Sequence, residues 1–240
     1  MKFTSFIALG VCALLVLAAA SASAAPLQNG GFETGSFSPW TTAGVDTVTG
    51  TSNSVAPVEG SFQAVIDTPH SGTATQAQLE SFLGLASGTT SVYNSAGGQG
   101  GGSAFGQTFD VTSGQIITFQ WDFLPNGNDT NSGQNDTAFF TLHLASDTSS
   151  SVIFTLSSTA TSGGNPTGYQ TYLSSPLAAG TYFLGFALND QKTPVGAYNA
   201  QRPTLLIDNV SAIPEPSTFA LLALGGVAGA ASLLRRRKAS

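Results

Sequence analysis

The sequence predicts an all-β fold: a single β-sandwich of the jelly-roll type with one short helix, over residues 25–212. Short runs of alternating, β-branched or aromatic residues recur between clusters of Gly, Ser, Asn, Asp and Pro. Helical periodicity is found in one stretch, where Leu79, Phe82 and Leu83 recur before a glycine. These two observations together favour two packed sheets with a helix over one end.

Eight strands are predicted in order along the chain. They cover residues 61–68, 104–111, 115–124, 137–145, 151–158, 169–175, 180–189 and 204–212. Two stretches, 94–104 and 125–137, are predicted to be irregular connections, because glycine frees the first backbone and Asn and Asp favour turns in the second.

The first 24 residues have the pattern of a secretory signal peptide. Lys2 precedes an apolar run from about Phe6 to Ala20, and Ala22 and Ala24 supply the small-x-small pattern for cleavage. A membrane anchor is the alternative, but the apolar run is short for a span. We therefore expect signal peptidase to cleave after Ala24.

The only cysteine, Cys12, lies inside this signal. The mature chain would then have no disulfide, no thiolate metal site and no cysteine nucleophile. Its stability has to come from the size of its core, or from a metal ion.

The body is strongly acidic once the two ends are set aside. Between residues 25 and 212 it contains two bases, Lys192 and Arg202, and twelve acids, so the formal charge is 2 − 12 = −10. Nucleic-acid binding requires basic patches for phosphate contacts, so this class of partner is excluded. The negative charge of the body favours solubility and the binding of divalent cations.

Catalytic motifs are absent from the sequence. His70 and His143 are predicted to be solvated or hydrogen-bonded rather than catalytic, and neither a GxSxG elbow nor an HExxH helix is present. A glycosidase needs two suitably spaced carboxylates, and nothing in the spacing of the twelve acids singles out a pair. We therefore predict no catalytic residues and no enzyme activity.

Aromatic side chains offer surfaces on which a sugar ring can stack. Trp40 follows Pro39 in a loop and is predicted to be exposed, which makes it the candidate glycan contact; the alternative is that it caps the core. Trp121 shares a strand face with Phe119 and Phe123 and is predicted to belong to the core.

The two ends of the body carry a family resemblance. The stretches "LQNGGFETGSFSPWTTAG", "VEGSFQAVI" and "PTLLIDNVSA" resemble the terminal and second strands of the galactose-binding-like jelly roll of many carbohydrate-binding modules. In such modules an early glutamate and a late aspartate meet at a structural Ca²⁺, which implies Glu33 and Asp208 here. The alternative is that both are ordinary acids, solvated or capping backbone amides. Asp129 and Asp136 are predicted to be solvated turn residues.

The chain ends with a segment of a different kind. Pro214, Glu215 and Pro216 precede 16 uncharged, mostly apolar residues (219–234) and a basic run (235–238). As a helix this span would be about 24 Å long, short for a hydrocarbon core of about 30 Å, and the basic run would stay cytoplasmic. We set the boundary of this segment at residues 213–240.

This ending resembles a PEP-CTERM sorting signal, with Pro214, Glu215 and Pro216 as its motif. The resemblance implies export in a Gram-negative bacterium that makes exopolysaccharide, a transient membrane anchor, and processing by a membrane-embedded exosortase. A simple C-terminal anchor is the alternative.

These features together predict the function of the chain. We expect a non-catalytic surface or extracellular-matrix protein associated with exopolysaccharide. A lectin of the carbohydrate-binding-module type is the alternative, and a secreted glycan-active enzyme ranks third.

Overall fold

The computed structural model describes residues 26–68, 72–93, 101–125, 135–147, 152–190 and 202–214. The predicted signal peptide (1–24), the predicted membrane segment (219–234) and the basic run (235–238) lie outside these ranges, as do His70, Asp129, Glu215 and Pro216. No helix within them is long or apolar enough to cross a bilayer.

The described residues form a β-sandwich of two antiparallel sheets, which confirms the predicted fold class. The strands are β1 (Thr41–Ala43), β2 (Val45–Thr49), β3 (Gln63–Asp67), β4 (Ala74–Thr75), β5 (Gly101–Val111), β6 (Gln115–Leu124), β7 (Thr137–Leu144), β8 (Ile153–Ser158), β9 (Gln170–Leu173), β10 (Gly180–Asp190) and β11 (Thr204–Pro214). Sheet A has the order β1-β5-β10-β7-β8, with β4 also beside β5, and sheet B has the order β2-β3-β11-β6-β9.

Each of the eight predicted strands is found, while β1, β2 and β4 were missed. β1 belongs to sheet A and β2 to sheet B, and only Gly44 separates them. Gly44 has φ +104°, and a Cβ there would come 2.5 Å from Ser103 Oγ. A chain that changes sheets at one residue interrupts the alternation that identifies a strand.

The glycine-rich connection was predicted too long. Gly101, Gly102 and Ser103 belong to β5 rather than to a loop. A Cβ on Gly102 would lie 2.0 Å from the carbonyl oxygen of Leu188, so glycine allows the close approach of β10 at this point.

The predicted helix is found as α1 (Gln76–Phe82), and two further short turns were missed: a 3₁₀ helix (Thr89–Tyr93) and α2 (Thr159–Ser162). Thr75 and Gln78 form a capping box at the start of α1. Leu79 and Leu83 pack α1 onto the outer face of sheet A beside Phe139.

The main core lies between the two sheets and is rich in phenylalanine. Phe105 and Phe186 of sheet A have ring centroids 5.3 Å apart, and Phe186 meets Phe119 of sheet B at 4.8 Å. The first pair is tilted and the second is edge-to-face, and contacts between aromatic rings of this kind add to the free energy gained by burying their area.

Both ends of the described chain meet at the same end of the sandwich. The backbone N–H of Val210 donates to the carbonyl oxygen of Gly30 at 2.9 Å. β11 continues to Pro214, which pairs with Gln115, so the last strand extends two residues past the predicted body boundary at residue 212.

Candidate functional site

The outer face of sheet B is covered by two loops, residues 50–62 and 163–169. Gln63 holds the first loop, because its Nε2 donates to the carbonyl oxygens of Gly50 at 2.9 Å and Val55 at 2.8 Å. Thr167 holds the second loop, because its hydroxyl donates to Asp122 Oδ1 at 3.0 Å. The hydroxyl of Tyr169 donates to Gln63 Oε1 and joins the two groups. The alternation of β3 and β6 puts these polar side chains on the outer face.

Glu33 and Asp208 converge on the first of these loops. Asp208 Oδ2 accepts from the backbone N–H groups of Val58 at 2.9 Å and Glu59 at 3.2 Å. Glu33 is exposed, and its carboxylate accepts from the N–H groups of Ser61 at 2.9 Å and Phe62 at 3.0 Å. The two acids therefore cap successive amides of one loop.

Burial shifts the ionisation of this face. Burial raises the pKa of Asp208, the N–H bonds from Glu59, Asn209 and Val58 oppose the rise, and the nearby charge of Glu33 adds to it. Burial also raises the pKa of Tyr169, as do the charges of Asp208 and Asp122.

The two carboxylates are the donor type that Ca²⁺ prefers, but they are too few alone. Ca²⁺ takes six to eight oxygen ligands, and the described residues contain no group of three or more His, Cys, Asp or Glu placed to hold a metal. The loop also presents N–H groups, not carbonyl oxygens, to both carboxylates. The geometry matches the capping role, and further ligands would have to be backbone oxygens or water.

A cleft of about 560 Å³ opens beside this face, between the two loops. Asp67 and Thr204, from β3 and β11, lie on its floor; the other lining residues include Asn53, Leu124, Pro166 and Arg202. Asn53 Nδ2 donates to Thr204 Oγ1 at 3.3 Å. The cleft thus combines a carboxylate, a guanidinium, an amide and a hydroxyl, which are the groups that hydrogen-bond to sugar hydroxyls.

Trp40 does not line the cleft, and the prediction that it is exposed was wrong. It is 5% exposed and packs between Phe32, Phe105 and Phe186 in the main core. Its indole N–H donates to the carbonyl oxygens of Gln28 and Asn29. A tryptophan beside a terminal strand caps the core here, which was the alternative, and leaves almost no ring surface for a sugar.

His143 and Trp121 lie where the sequence placed them. His143 is buried under α1 on the outer face of sheet A, with Nε2 3.2 Å from the carbonyl oxygen of Leu83 and Nδ1 3.0 Å from that of Leu144. Trp121 is partly buried and packs against the main core. Asp136 is fully buried, so its prediction as a solvated turn residue was wrong.

The sequence analysis missed one unusual carboxylate, Asp46 of β2. Neither of its oxygens has a hydrogen-bond partner among the described residues, and burial raises its pKa to about 9. Asp46 lies opposite Ile66, a core residue, so it faces the interior of the sandwich. Alternation along β2 contained this signal, since Val48 shares the face of Asp46 and packs against the core.

The sandwich is similar to several solved structures, and the C-terminal residues match a sorting motif. Similar solved structures include TmCBM61 in complex with β-1,4-galactotriose (14% identity, TM-score 0.45, 80% of this chain and 100% of that one). They also include the CBM22-2 xylan-binding domain from Paenibacillus barcinonensis Xyn10C (9% identity, TM-score 0.35, 77% of this chain and 97% of that one). A third is the enzymatically active domain of bacteriophage CBA120 tailspike protein 4 (13% identity, TM-score 0.42, 79% of this chain and 21% of that one). No curated protein matches the chain. Residues 212–238 match the PEP-CTERM protein-sorting motif, and the chain therefore carries this sorting signal at the end of its β-sandwich.

Proposed function

We propose that this chain is the precursor of an exported, exosortase-processed and non-catalytic protein of the cell surface or extracellular matrix, associated with exopolysaccharide. The observation that carries the proposal is the PEP-CTERM match at residues 212–238, which begins within the last strand of the sandwich. The predicted signal peptide at the other end supports it, because export requires such a leader.

The outer face of sheet B supports a second candidate, a glycan-binding module of the lectin type. The cleft between the two loops is large enough for part of an oligosaccharide, and it groups Asn53, Asp67 and Arg202 in a body of strong negative charge. Arg202 is the only Lys or Arg among the described residues, and it lies on this cleft. A sugar site there is compatible with a matrix role.

Structural Ca²⁺ at Glu33 and Asp208 is a further proposal, which rests on the family resemblance of the terminal strands. The convergence of both carboxylates on loop 58–62 supports it, because a cation there would offset their mutual repulsion. Glu33 and Asp208 would hold the ion together with backbone or water oxygens, and the ion would supply loop stability rather than chemistry.

Intact-mass analysis in the native host tests the sorting proposal. We expect a mature protein that lacks residues 1–24 and has lost part of 213–240, and a tail-bearing form in cells without exosortase. A surface form that keeps residues 219–240 in normal cells would overturn the proposal. Signal cleavage at another alanine would correct only the N-terminal boundary.

A glycan array with the processed protein, including the host's own exopolysaccharide, tests the lectin candidate. We expect saturable binding that is lost in Arg202→Ala and Asp67→Asn but kept in Val152→Ala, an exposed substitution beside β8 of the other sheet. Unchanged binding in Arg202→Ala would show that the glycan site lies outside this cleft. If the wild type binds no glycan, the lectin candidate fails and only the matrix role stands. Release of reducing ends would show an enzyme.

A further inference from the structure

The last strand of the sandwich consists of two unlike halves. Residues 204–207 of β11 lie between β3 and β6 and pair with both strands. Residues 211–214 pair with β6 alone. The register shifts between Asp208 and Ser211, where Asn209 has φ +51°, so an irregularity divides the strand at this point.

The second half is also the exposed half. Thr204 to Asp208 are buried, Ser211 and Ala212 are half-buried, and Ile213 and Pro214 are exposed. A groove of about 370 Å³ runs beside it, lined on the other side by Pro26 and Leu27. Ala212 packs partly against the main core, and its carbonyl oxygen accepts from Gln115 Nε2 at 3.3 Å. Pairing with one strand only and exposure of the last two residues are nevertheless features of a segment that opens locally at low free-energy cost.

This same half contains the start of the sorting motif. The match begins at Ala212, and Pro214, the first proline of the motif, is paired with Gln115. Only residues 215–218 separate Pro214 from the predicted membrane segment, so Pro214 lies at most about 18 Å along the chain from Phe219. A membrane-embedded enzyme that recognises the motif therefore meets it beside the folded sheet.

We propose that residues 211–214 form a detachable strap, which must peel away from β6 before the sorting enzyme can bind the Pro-Glu-Pro motif. An enzyme that cuts or transfers a chain binds it in an open form, and a paired strand reaches that form by local unfolding. The irregularity at Asn209 lets the strap open while residues 204–207 keep the sandwich intact. This inference rests on the proposed function, since it takes exosortase processing as given.

A disulfide that locks the strap tests the proposal in the full-length chain in its native host. Ile116 and Ile213 are directly opposite in the register, where Cα atoms of antiparallel strands lie about 4.5–5.5 Å apart, within the range a disulfide spans. The mature chain contains no cysteine to compete, since Cys12 lies in the predicted signal. We expect Ile116→Cys/Ile213→Cys to lose the processed form and to regain it with dithiothreitol.

The matched control is Thr47→Cys/Val65→Cys, which joins β2 to β3 in the same sheet and touches neither the strap nor β6. We expect this variant to be processed as the wild type is. Normal processing of the locked strap would overturn the inference, and so would a block that dithiothreitol does not relieve. If the wild-type tail stays intact with and without exosortase, the proposed function fails instead.

A second pair of measurements does not depend on the lock. Gly-Ser residues inserted between Ala212 and Ile213 move the motif out of the sheet, so we expect processing at least as fast as in the wild type. Hydrogen exchange of the purified protein is expected to be faster at Ser211 to Ile213 than at Leu205 to Ile207. Slower processing of the insertion variant, or equal protection of the two halves, would contradict the strap.

Discussion

Asp208 and Asp46 are both carboxylates on sheet B, yet their surroundings are opposite. Asp208 lies on the outer face under a loop, where backbone N–H groups of Val58, Glu59 and Asn209 donate to it. Asp46 lies on the inner face of an edge strand, and neither oxygen has a partner among the described residues. The comparison shows that compensation by hydrogen bonds, rather than burial itself, decides what a buried acid costs the fold.

The pKa values of the two acids express the same difference. Burial raises the pKa of both, but amide bonds to Asp208 oppose the rise, whereas burial acts alone on Asp46 and raises its pKa to about 9. Asp46 is therefore neutral in the folded protein at pH 7. The unfolded chain ionises it near its ordinary value of 3.8.

Replacing Asp46 by asparagine is expected to have the largest effect, and to stabilise the protein. The folded pKa is raised, so the contribution of Asp46 to stability is fully present below pH 3.8 and is lost as pH rises toward 9. Between pH 3.8 and pH 7 the free energy of unfolding falls by about 4 kcal/mol, at 1.36 kcal/mol per pH unit. The asparagine of Asp46→Asn cannot ionise, so the variant does not lose this free energy. Urea unfolding at pH 5 and pH 8 measures the change.

The difference in the free energy of unfolding between Asp46→Asn and the wild type has to grow as the pH rises. We expect Thr47→Asn, an exposed substitution on the same strand that neither adds nor removes a titratable group, to show no such growth. A free energy of unfolding for Asp46→Asn that keeps a constant offset from the wild type between pH 5 and 8 would show that Asp46 is already ionised in the fold.

Removing the Asp208 carboxylate is expected to destabilise the protein, in contrast to the stabilisation expected from Asp46→Asn. Asp208→Ala leaves the N–H groups of Val58 and Glu59 without their acceptor, which costs about 3 kcal/mol. The melting temperature also tests calcium: Ca²⁺ that binds the folded state alone raises it in the wild type, and this rise is lost in Asp208→Ala. Equal wild-type melting temperatures with Ca²⁺ and with chelator would remove the metal and leave only the capping role.

The sequence predicted the sandwich because the main strands carry their own signal. The alternation of β6, β7 and β10 survives in the structure with nearly the predicted bounds. The meeting of Glu33 and Asp208 was implied by the likeness of the terminal strands to a jelly roll. The structure brings both acids to one loop, and the calcium ion stays a prediction.

The sequence did not predict the cleft, and it gave the burial of Trp40 only as the alternative, for a different reason. Both depend on which loop folds over which strand. The residues of a loop indicate where it turns, but they do not indicate which strand it packs against. Arg202 and Asn53 are 149 positions apart and line one cleft only because loop 50–62 lies over β11, where Asn53 hydrogen-bonds Thr204. Asp46 was missed because its strand, β2, was missed: the change of sheet at Gly44 interrupts the alternation that identifies a strand.

The loop above Asp208 depends on glycine at one position, beside the Glu33 carboxylate. Gly60 has φ +67°, and a Cβ there would lie 2.3 Å from the Glu33 carboxylate. Gly114 also has a positive φ, but nothing lies within 4 Å of its Cβ position. Both alanine variants bear the backbone cost, and we expect Gly60→Ala to lose about 2 kcal/mol more, since Glu33 must release Ser61 or Phe62. Equal losses in chemical denaturation would show that the Glu33 contacts contribute nothing.

The smallest expected effect concerns the hydroxyl that joins the two loops over this face. Tyr169 donates to Gln63 Oε1, and Gln63 in turn holds loop 50–62 through Gly50 and Val55. Tyr169→Phe removes one neutral hydrogen bond and should cost about 1 kcal/mol. Tyr172 stacks on Phe119 at 4.9 Å and has no hydroxyl partner in the described part of the chain, so Tyr172→Phe should stay within about 0.5 kcal/mol. If the two variants unfold at the same denaturant concentration, the hydroxyl of Tyr169 is as dispensable as that of Tyr172, and the loops are held by Gln63, Asp122 and Asp208 alone.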